Sequence, residues 1–379
     1  MSAPVDEREM ASNAERFMAM ALEEARRAEG QTKPNPCVGV VIVRDGEIVG
    51  RGFHARAGGP HAEVVALREA GERARGADLY STLEPCDHQG RTPPCTRAIL
   101  EAGIARVFVG CTDINPKVCG RGIERLRAHG VEVIDGVLKE PCARLNAPFF
   151  KFVTERRPFV TLKVAATADG KIASRTSDAR WVTGESSRQL VHETRARVDA
   201  VLVGGNTVRC DDPELTARPN GVRAARQPLR VVLSASLDLP LSARLFSAVT
   251  PTAPVLVVTS SSDLMAIETL RARGVEVDVL KSRPDGRVDL PALLDCLAAR
   301  QVMHLYVEGG AALFGAFVEE ALFDRLELFI APKVLGEGLS WATVAPRDAM
   351  SAAIDLHLEQ LERVGQDARL VFTPGRRTS

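Results

Sequence analysis

The sequence predicts two α/β domains in tandem, and three observations predict them. Short apolar runs alternate with helically spaced segments along most of the chain. A charged stretch with two prolines interrupts that alternation near residue 150, and 379 residues is a length for roughly two to three domains. Hydrophobic residues make up 45% of the chain, enough for ordinary cores.

Met18, Ala21, Leu22 and Ala25 recur at helical spacing and open the chain with an amphipathic helix. Residues 38–43 then read as a buried strand. Asp45-Gly46 suits a tight hairpin turn, so residues 47–52 should pair antiparallel with that strand. Residues 61–72 read as helix because Ala62, Val65, Ala66 and Glu69 fall on successive turns, which puts His61 and Glu63 near its start. A strand at 79–83 leads directly to Cys86, and Cys95 opens a helical stretch to Ala102, where helix amides favour thiolate over thiol. Strand 106–110, helix 122–129 and strand 131–134 complete a three-layer α/β/α domain over residues 1–145.

Residues 146–158, with Pro148 and Pro158 and a charged cluster, read as a linker. The second α/β domain spans 159–379. Its strands are expected at 159–166, 200–204, 230–233, 255–259, 275–279, 304–308 and 327–330, with helices at 185–197, 264–273, 290–300 and 311–322. No internal repeat or low-complexity tract interrupts either half.

Composition narrows the function classes. With 49 basic and 49 acidic residues and only 4% aromatics, the chain lacks the basic excess and stacking platforms of a nucleic-acid binder, so a small-molecule substrate is expected. The first nine residues lack the basic start and apolar core of a signal peptide, and the longest apolar runs are too short to span a bilayer, so no membrane partner is expected. Eight cysteines diluted over a long chain fit reduced thiols in a cytoplasmic protein.

The chemistry is concentrated in His61-Ala62-Glu63, Pro85-Cys86 and Pro94-Cys95. One imidazole and two thiolates make a three-ligand zinc site with an open fourth position, as a catalytic zinc requires. Zinc lowers the pKa of a bound water, and an unligated carboxylate, Glu63, can move protons to a leaving amine. His-x-Glu followed by Pro-Cys-x-x-Cys is the zinc-deaminase signature. Here eight residues separate the cysteines instead of two, and the 87–94 segment, with Gly90 and Pro93-Pro94, makes the necessary loop. A lone cysteine is usually a small hydrophobe and a lone histidine a satisfied polar group, but the joint pattern favours zinc. His88 lies between the cysteines and could ligate; with three ligands already present it is expected to line the loop.

Two glycine pairs in the second half follow strands. Gly309-Gly310 stands between a strand end and a helix start, where free N–H groups and the helix dipole suit phosphate, and Gly204-Gly205 follows its strand similarly. Neither is a Gly-x-Gly-x-x-Gly fingerprint, so nucleotide site and ordinary tight turn both stand.

Lys33-Pro34-Asn35-Pro36, Val38-Gly39, Pro60-His61-Ala62-Glu63, Leu83-Glu84-Pro85-Cys86 and the 90–95 run Gly-Arg-Thr-Pro-Pro-Cys together resemble the bifunctional riboflavin-biosynthesis deaminase–reductase family. The resemblance continues through Thr161-Leu162-Lys163, Asp169-Gly170-Lys171, Trp181-Val182-Thr183, Asp211-Asp212-Pro213 and Glu308-Gly309-Gly310, so it covers nearly the whole chain. In that family the eight-residue cysteine spacing is the usual one.

The resemblance implies a cytidine-deaminase-like first domain and a dihydrofolate-reductase-like second domain that binds NADPH at strand ends. The implied reactions are zinc-dependent hydrolytic deamination of 2,5-diamino-6-(5-phosphoribosylamino)pyrimidin-4-one, then NADPH-dependent reduction of the ribosyl group of 5-amino-6-(5-phosphoribosylamino)uracil to ribityl. By position it puts Ala165, Trp181 and Thr207 at the cofactor, with Gly310, Ala311, Ala312, Leu313, Phe314, Gly315 and Ala316 at the phosphate-facing helix start. Arg195, Asp211, Leu215, Arg218 and Glu308 fall at substrate positions, where guanidinium can bind phosphate oxygens bidentately. Ala179 departs from the Ser expected there. It also implies a homodimer or larger homo-oligomer through the second domain.

Three residues keep two readings. Asn35 orients the pyrimidine or is a turn residue, Lys163 sits by the carbon that accepts hydride or is a strand-edge charge, and Trp181 contacts cofactor or is a core aromatic. Two other functions fit parts of the pattern: a nucleoside or nucleic-acid base deaminase with an unrelated second domain, and a binding protein with a stapling zinc and a nucleotide-sensing half. Glu63 separates the latter, since a structural zinc needs a fourth ligand and no acid/base carboxylate.

Overall fold

The structure, a computed structural model, describes residues 7–89, 93–115, 119–247 and 249–375. Part of the amino-terminal reading (residues 1–6) and Gly90, Arg91 and Thr92 of the inter-cysteine loop lie outside the described residues. The chain divides into two units, Met1–Arg156 and Arg157–Ser379.

The first unit runs α1 (Glu7–Arg26), β1 (Gly39–Arg44), β2 (Glu47–Phe53), α2 (Ala62–Ala70), β3 (Asp78–Leu83), α3 (Cys95–Ala102), β4 (Arg106–Cys111), α4 (Arg121–Ala128), β5 (Glu132–Asp135), α5 (Lys139–Leu145) and α6 (Ala147–Glu155). Its five-stranded sheet has the order β2-β1-β3-β4-β5. β1 pairs antiparallel with β2 and β3, and β3, β4 and β5 are parallel. Strand alternation gives the sheet two apolar faces. Val40, Ile42, Leu79, Val107 and Val109 cluster with Ala62 and Ala66 of α2 and Ile99 of α3. On the other face Tyr80 stacks on Phe108 with centroids 4.4 Å apart and meets Phe17 of α1 at 5.3 Å. α2 lies directly on the hairpin, since a Cβ at Gly52 would sit 2.3 Å from the Ala62 carbonyl oxygen. That contact sets the height of the helix start carrying His61 and Glu63.

The second unit runs β6 (Phe159–Thr167), β7 (Lys171–Ser174), α7 (Glu185–Arg197), β8 (Ala200–Gly204), α8 (Gly205–Asp211), β9 (Leu229–Leu233), α9 (Arg244–Ser247), β10 (Val255–Thr259), α10 (Leu264–Arg271), β11 (Glu276–Val279), α11 (Leu290–Ala299), β12 (His304–Val307), α12 (Ala311–Glu319), β13 (Arg325–Ala331), β14 (Gly338–Ser340), β15 (Leu356–Val364) and β16 (Asp367–Pro374). Nine strands form one sheet in the order β11-β10-β9-β8-β12-β6-β13-β16-β15, and β7 pairs with β14. β11 through β13 are parallel; β16 and β15 close the sheet antiparallel. From β6 the chain steps outward through β8 to β11, then returns to insert β12 between β8 and β6. Such a reversal opens a crevice at the carboxyl ends of parallel strands, where doubly wound sheets bind ligands.

Several expectations need correction. The stretch 146–158, expected as a linker, contains the division between the units but is mostly helical: α6 occupies Ala147–Glu155 with Phe149, Phe150 and Phe152 buried. Pro148 lies in the first turn, where its missing N–H breaks no intrahelical bond. The helix expected to 72 ends at Ala70, where Gly71 turns with φ 56°. The sequence reading also omits α5, α8, α9, β7, β14 and the β15–β16 hairpin.

His304 gives the second unit a pH response. Its ring packs edge-on against Phe159 and its Nε2 lies 2.9 Å from Thr161 Oγ1. Desolvation, with Arg325 nearby, pushes its pKa down to about 3. The neutral form is favoured by folding, so this contribution is complete above the unfolded-state value of about 6.5 and is lost as pH falls from there toward 3. Stability of the second unit should fall by up to about 1.4 kcal/mol per pH unit in that window. His304→Gln should flatten the acid limb of a denaturation series, and superimposable profiles would refute the assignment.

Candidate functional site

Four residues converge from α2, the segment after β3 and the start of α3. His61 is the N-cap of α2, with extended backbone (φ −72°, ψ 161°), and its ring faces the two cysteines rather than capping the helix. Glu63 is in the first turn of the same helix. Cys86 follows β3, and Cys95 opens α3 behind Pro94. The donor atoms of His61, Cys86 and Cys95 all lie within 4.8 Å of one another. His61 Nδ1 is 3.1 Å from Cys95 Sγ and 3.5 Å from Cys86 Sγ. Tetrahedral zinc with bonds of about 2.0–2.3 Å spaces such donors roughly 3.5–3.8 Å apart; the Cys86 separation matches this, and the Cys95 separation needs to open by only a few tenths of an ångström to seat zinc.

The surroundings favour an anionic sulfur at Cys86 only: the hydrogen bond to Cys86, then burial, raise the Cys95 thiol, so the thiolate expected at the start of α3 is not favoured there without a metal. Hydrogen bonding from Cys95 and from His61 holds the Cys86 thiol down to about 4, while bonding to Cys86 raises His61. Glu63 is buried, and desolvation, followed by the nearby Cys86 charge, lifts its carboxyl to about 7. A carboxyl poised near neutrality can both accept and return a proton. His88 is exposed and is not among the three converging donors.

Asn35 is anchored as well as turned. Thr32 Oγ1 donates to its carbonyl at 3.0 Å, and its amide Nδ2 lies 3.0 Å from Nε2 of His54. His54 is buried, lies 3.1 Å through Nδ1 from the Pro60 carbonyl, and meets the His61 ring edge-on at 5.4 Å. Sequence reading passes over His54, and over Asp113, a buried carboxyl raised to about 6 by desolvation. Neither sits in a motif with local spacing.

In the second unit, Arg195 of α7 and Glu308 at the end of β12 form a bidentate pair, with Nε and Nη2 donating at 2.6 and 2.7 Å. Nη1 of Arg195 donates to the Thr216 carbonyl at 3.1 Å. The guanidinium fork expected to face a sugar phosphate is therefore turned onto a carboxylate. Lys163 of β6 shares this surrounding: burial lowers its pKa, Glu308 opposes that shift, and Arg195 adds to it. Arg218 is half-exposed, bonds Glu214, and donates from Nη1 to Thr216 Oγ1 at 2.8 Å. His192, which the sequence reading omits, accepts from the Arg218 backbone N–H at 3.3 Å.

The two glycine pairs follow neighbouring strands, β8 and β12. A Cβ at Gly309 would lie 2.8 Å from Thr207 Oγ1, and Gly310 has φ 82°, so the corner beside the Thr207 hydroxyl leaves no room for a side chain at Gly309. The first-turn N–H groups of α12 have no intrahelical acceptor and suit a phosphate. Leu313 and Phe314 instead pack into the core and Gly315 is buried; the helix start, Gly310 to Ala312, offers amides. Leu215 is likewise in the core, so contact with a ligand there falls to its backbone. Ala165 is partly buried on β6, and Asp211 ends α8 with its carboxyl raised by burial. Trp181 is no core aromatic: it is 63% exposed, with the Arg188 guanidinium 4.7 Å from its ring centroid.

Residues 158–370 match the family model described as the RibD C-terminal domain, and residues 11–111 match the cytidine and deoxycytidylate deaminase zinc-binding region. The chain is 45% identical over 356 residues to the riboflavin biosynthesis protein RibD of Aquifex aeolicus, covering 94% of this chain and 97% of that one. It is 38% identical over 367 residues to RibD of Escherichia coli, covering 94% and 98%. Among solved structures, a diaminohydroxyphosphoribosylaminopyrimidine deaminase/5-amino-6-(5-phosphoribosylamino)uracil reductase from Thermotoga maritima superposes with a TM-score of 0.83 at 37% identity, covering 97% of this chain and 100% of that one. Acinetobacter baumannii RibD gives 0.82 at 37% identity with the same coverage.

Proposed function

The chain belongs to the RibD family of bifunctional riboflavin-biosynthesis deaminase–reductases, and from that premise we propose which residues carry its two reactions. It is a zinc-dependent deaminase joined to an NADPH-dependent reductase. The first reaction removes the 2-amino group of 2,5-diamino-6-(5-phosphoribosylamino)pyrimidin-4-one as ammonia. The second converts the ribosyl group of 5-amino-6-(5-phosphoribosylamino)uracil to ribityl.

The convergence of His61, Cys86 and Cys95 beside the buried Glu63 carries the deaminase reading. When bound, zinc supplies a water acidified for attack on the amino-bearing carbon. Glu63 takes a proton from that water and returns one to the departing nitrogen. Asn35, fixed by Thr32 and His54, orients the pyrimidine ring.

In the second unit, residues 159–379 in our domain assignment, NADPH supplies the hydride. The α12 start and Thr207 hold its phosphates, and Ala165 and Trp181 border the rest of the cofactor. Arg218 binds the sugar phosphate, with Asp211 and the Leu215 backbone beside it. Glu308 fixes Arg195 and Lys163 at the sugar. Hydride addition at C1′ breaks the bond to the ring oxygen, and Lys163 gives that oxygen its proton. We place the protein in the cytoplasm as a homodimer or larger assembly through this unit. β15, an edge strand with Leu358 and Leu361 exposed, supports association there; a monomeric mass in solution would exclude it.

The purified protein should release ammonia from the diaminopyrimidine without NADPH, and oxidise NADPH only once deaminated product is present. NADPH oxidation with dihydrofolate instead would overturn the reductase assignment. Metal analysis should find about one zinc per chain, and His61→Ala, Cys86→Ser and Cys95→Ser should each lose it. Undiminished zinc in all three would refute the ligand set.

A further inference from the structure

Glu84 lies two residues before Cys86 and is buried. Its backbone N–H donates to the Cys111 carbonyl at 2.9 Å, prolonging the β3–β4 pairing by one residue. The carboxylate then turns away from the sheet and accepts four backbone N–H groups. Oε2 receives Asp113 at 3.2 Å and Gly120 at 2.9 Å; Oε1 receives Gly122 at 2.9 Å and Ile123 at 3.4 Å. Gly122 and Ile123 belong to the first turn of α4, where N–H groups lack helical partners and the dipole favours an anion. Glu84 therefore caps α4 from another element, with charge-assisted bonds at both oxygens.

The capped helix presses on the residue before the ligand. A Cβ at Gly122 would sit 1.9 Å from the Pro85 carbonyl oxygen, so only glycine lets α4 come this close. On the other side, the Cys86 carbonyl accepts from Thr96 N–H of α3 at 3.3 Å. Asp87 accepts from Thr96 Oγ1 at 2.5 Å and pairs with Arg125 of α4 at 3.2 Å. The peptide carrying Cys86 is thus held between the starts of two helices, and α3 itself carries the second sulfur ligand.

We propose that Glu84 is a positioning residue for the zinc site: by tying the start of α4 to the Pro85-Cys86 peptide, it sets where the Cys86 sulfur stands relative to His61 and Cys95. The inference rests on the zinc reading above. Failure of that reading would show as absence of zinc in the unmodified protein, whereas failure of this one shows only in the variant.

The test is Glu84→Gln in the full chain, which keeps size and one acceptor oxygen but gives up the charge and the second acceptor. Zinc Kd by chelator competition should rise roughly 10–100-fold, as when groups supporting metal ligands are removed. The sulfur-to-metal absorption bands of the cobalt-substituted protein should shift. Saturating zinc should restore ammonia release with KM unchanged, and NADPH oxidation should stay at its original rate. An unchanged zinc Kd and cobalt spectrum would overturn the proposal, even with a lower melting temperature, because that is the outcome of a merely structural role. Lost ammonia release that saturating zinc does not restore would also overturn it. If Glu84→Gln does not fold, Glu84→Asp, which keeps the charge but shortens the reach, is read by the same criteria.

Discussion

Glu63→Gln is expected to lower ammonia release by about 10²–10⁴-fold, the range for removing a general acid/base, while reduction of pre-deaminated substrate continues at its original rate. Gln fills the same buried space at the start of α2 and keeps an acceptor, so neither the helix nor the three donors need move. What it cannot do is exchange a proton. Zinc content should therefore stay at the unmodified level, which distinguishes proton transfer from metal retention. Parallel ammonia-release, NADPH-oxidation and metal assays on one preparation check this. Loss of zinc or of both activities would show that Glu63 supports the site rather than reacting in it.

Glu308→Ala should produce the largest stability effect, about 3–5 kcal/mol, because it removes the carboxylate that pairs with the mostly buried Arg195 guanidinium. The two side chains are only 13% and 6% exposed, and both oxygens of Glu308 are used by Arg195. Reduction should be lost with it, while ammonia release persists. A double replacement, Arg195→Met with Glu308→Leu, should recover most of the stability, since an apolar pair removes both desolvation costs. It should not recover reduction. Denaturation of the three proteins with parallel assays checks the pattern; restored reduction in the double variant would show that the pair serves folding alone.

The legible parts were those with short-range signals. His61 and Glu63 are two residues apart at a helix start, and Asp45-Gly46 marks its own turn, so both could be read from local patterning. The paired Pro-Cys elements gave the metal ligands because few roles other than metal binding need that combination. The supporting groups were illegible for an equally physical reason: Glu84 meets its helix thirty-eight residues away at Gly122, and Arg195 meets Glu308 across 113. Nothing local marks such partners. α6 was hidden by a proline in its first turn. β15 was hidden because a register shift between Leu358 and Gln360 breaks its alternation and most of its residues face solvent. Arg195 and Glu308 were each legible through the resemblance, but their pairing was not, and the structure shows the carboxylate as the partner of the guanidinium fork.

The place of β12 bears on how the protein is made. This strand fills the gap between β6 and β8, both of which leave the ribosome well before it. Until residues 304–307 have emerged, β6 and β8 have no common neighbour, so the reductase sheet cannot close its middle during earlier synthesis. The deaminase half, complete by Arg156, has no such delay. A ribosome stalled before residue 304 would therefore display a finished first catalyst attached to an unfinished second one, with its apolar strands open to chaperones.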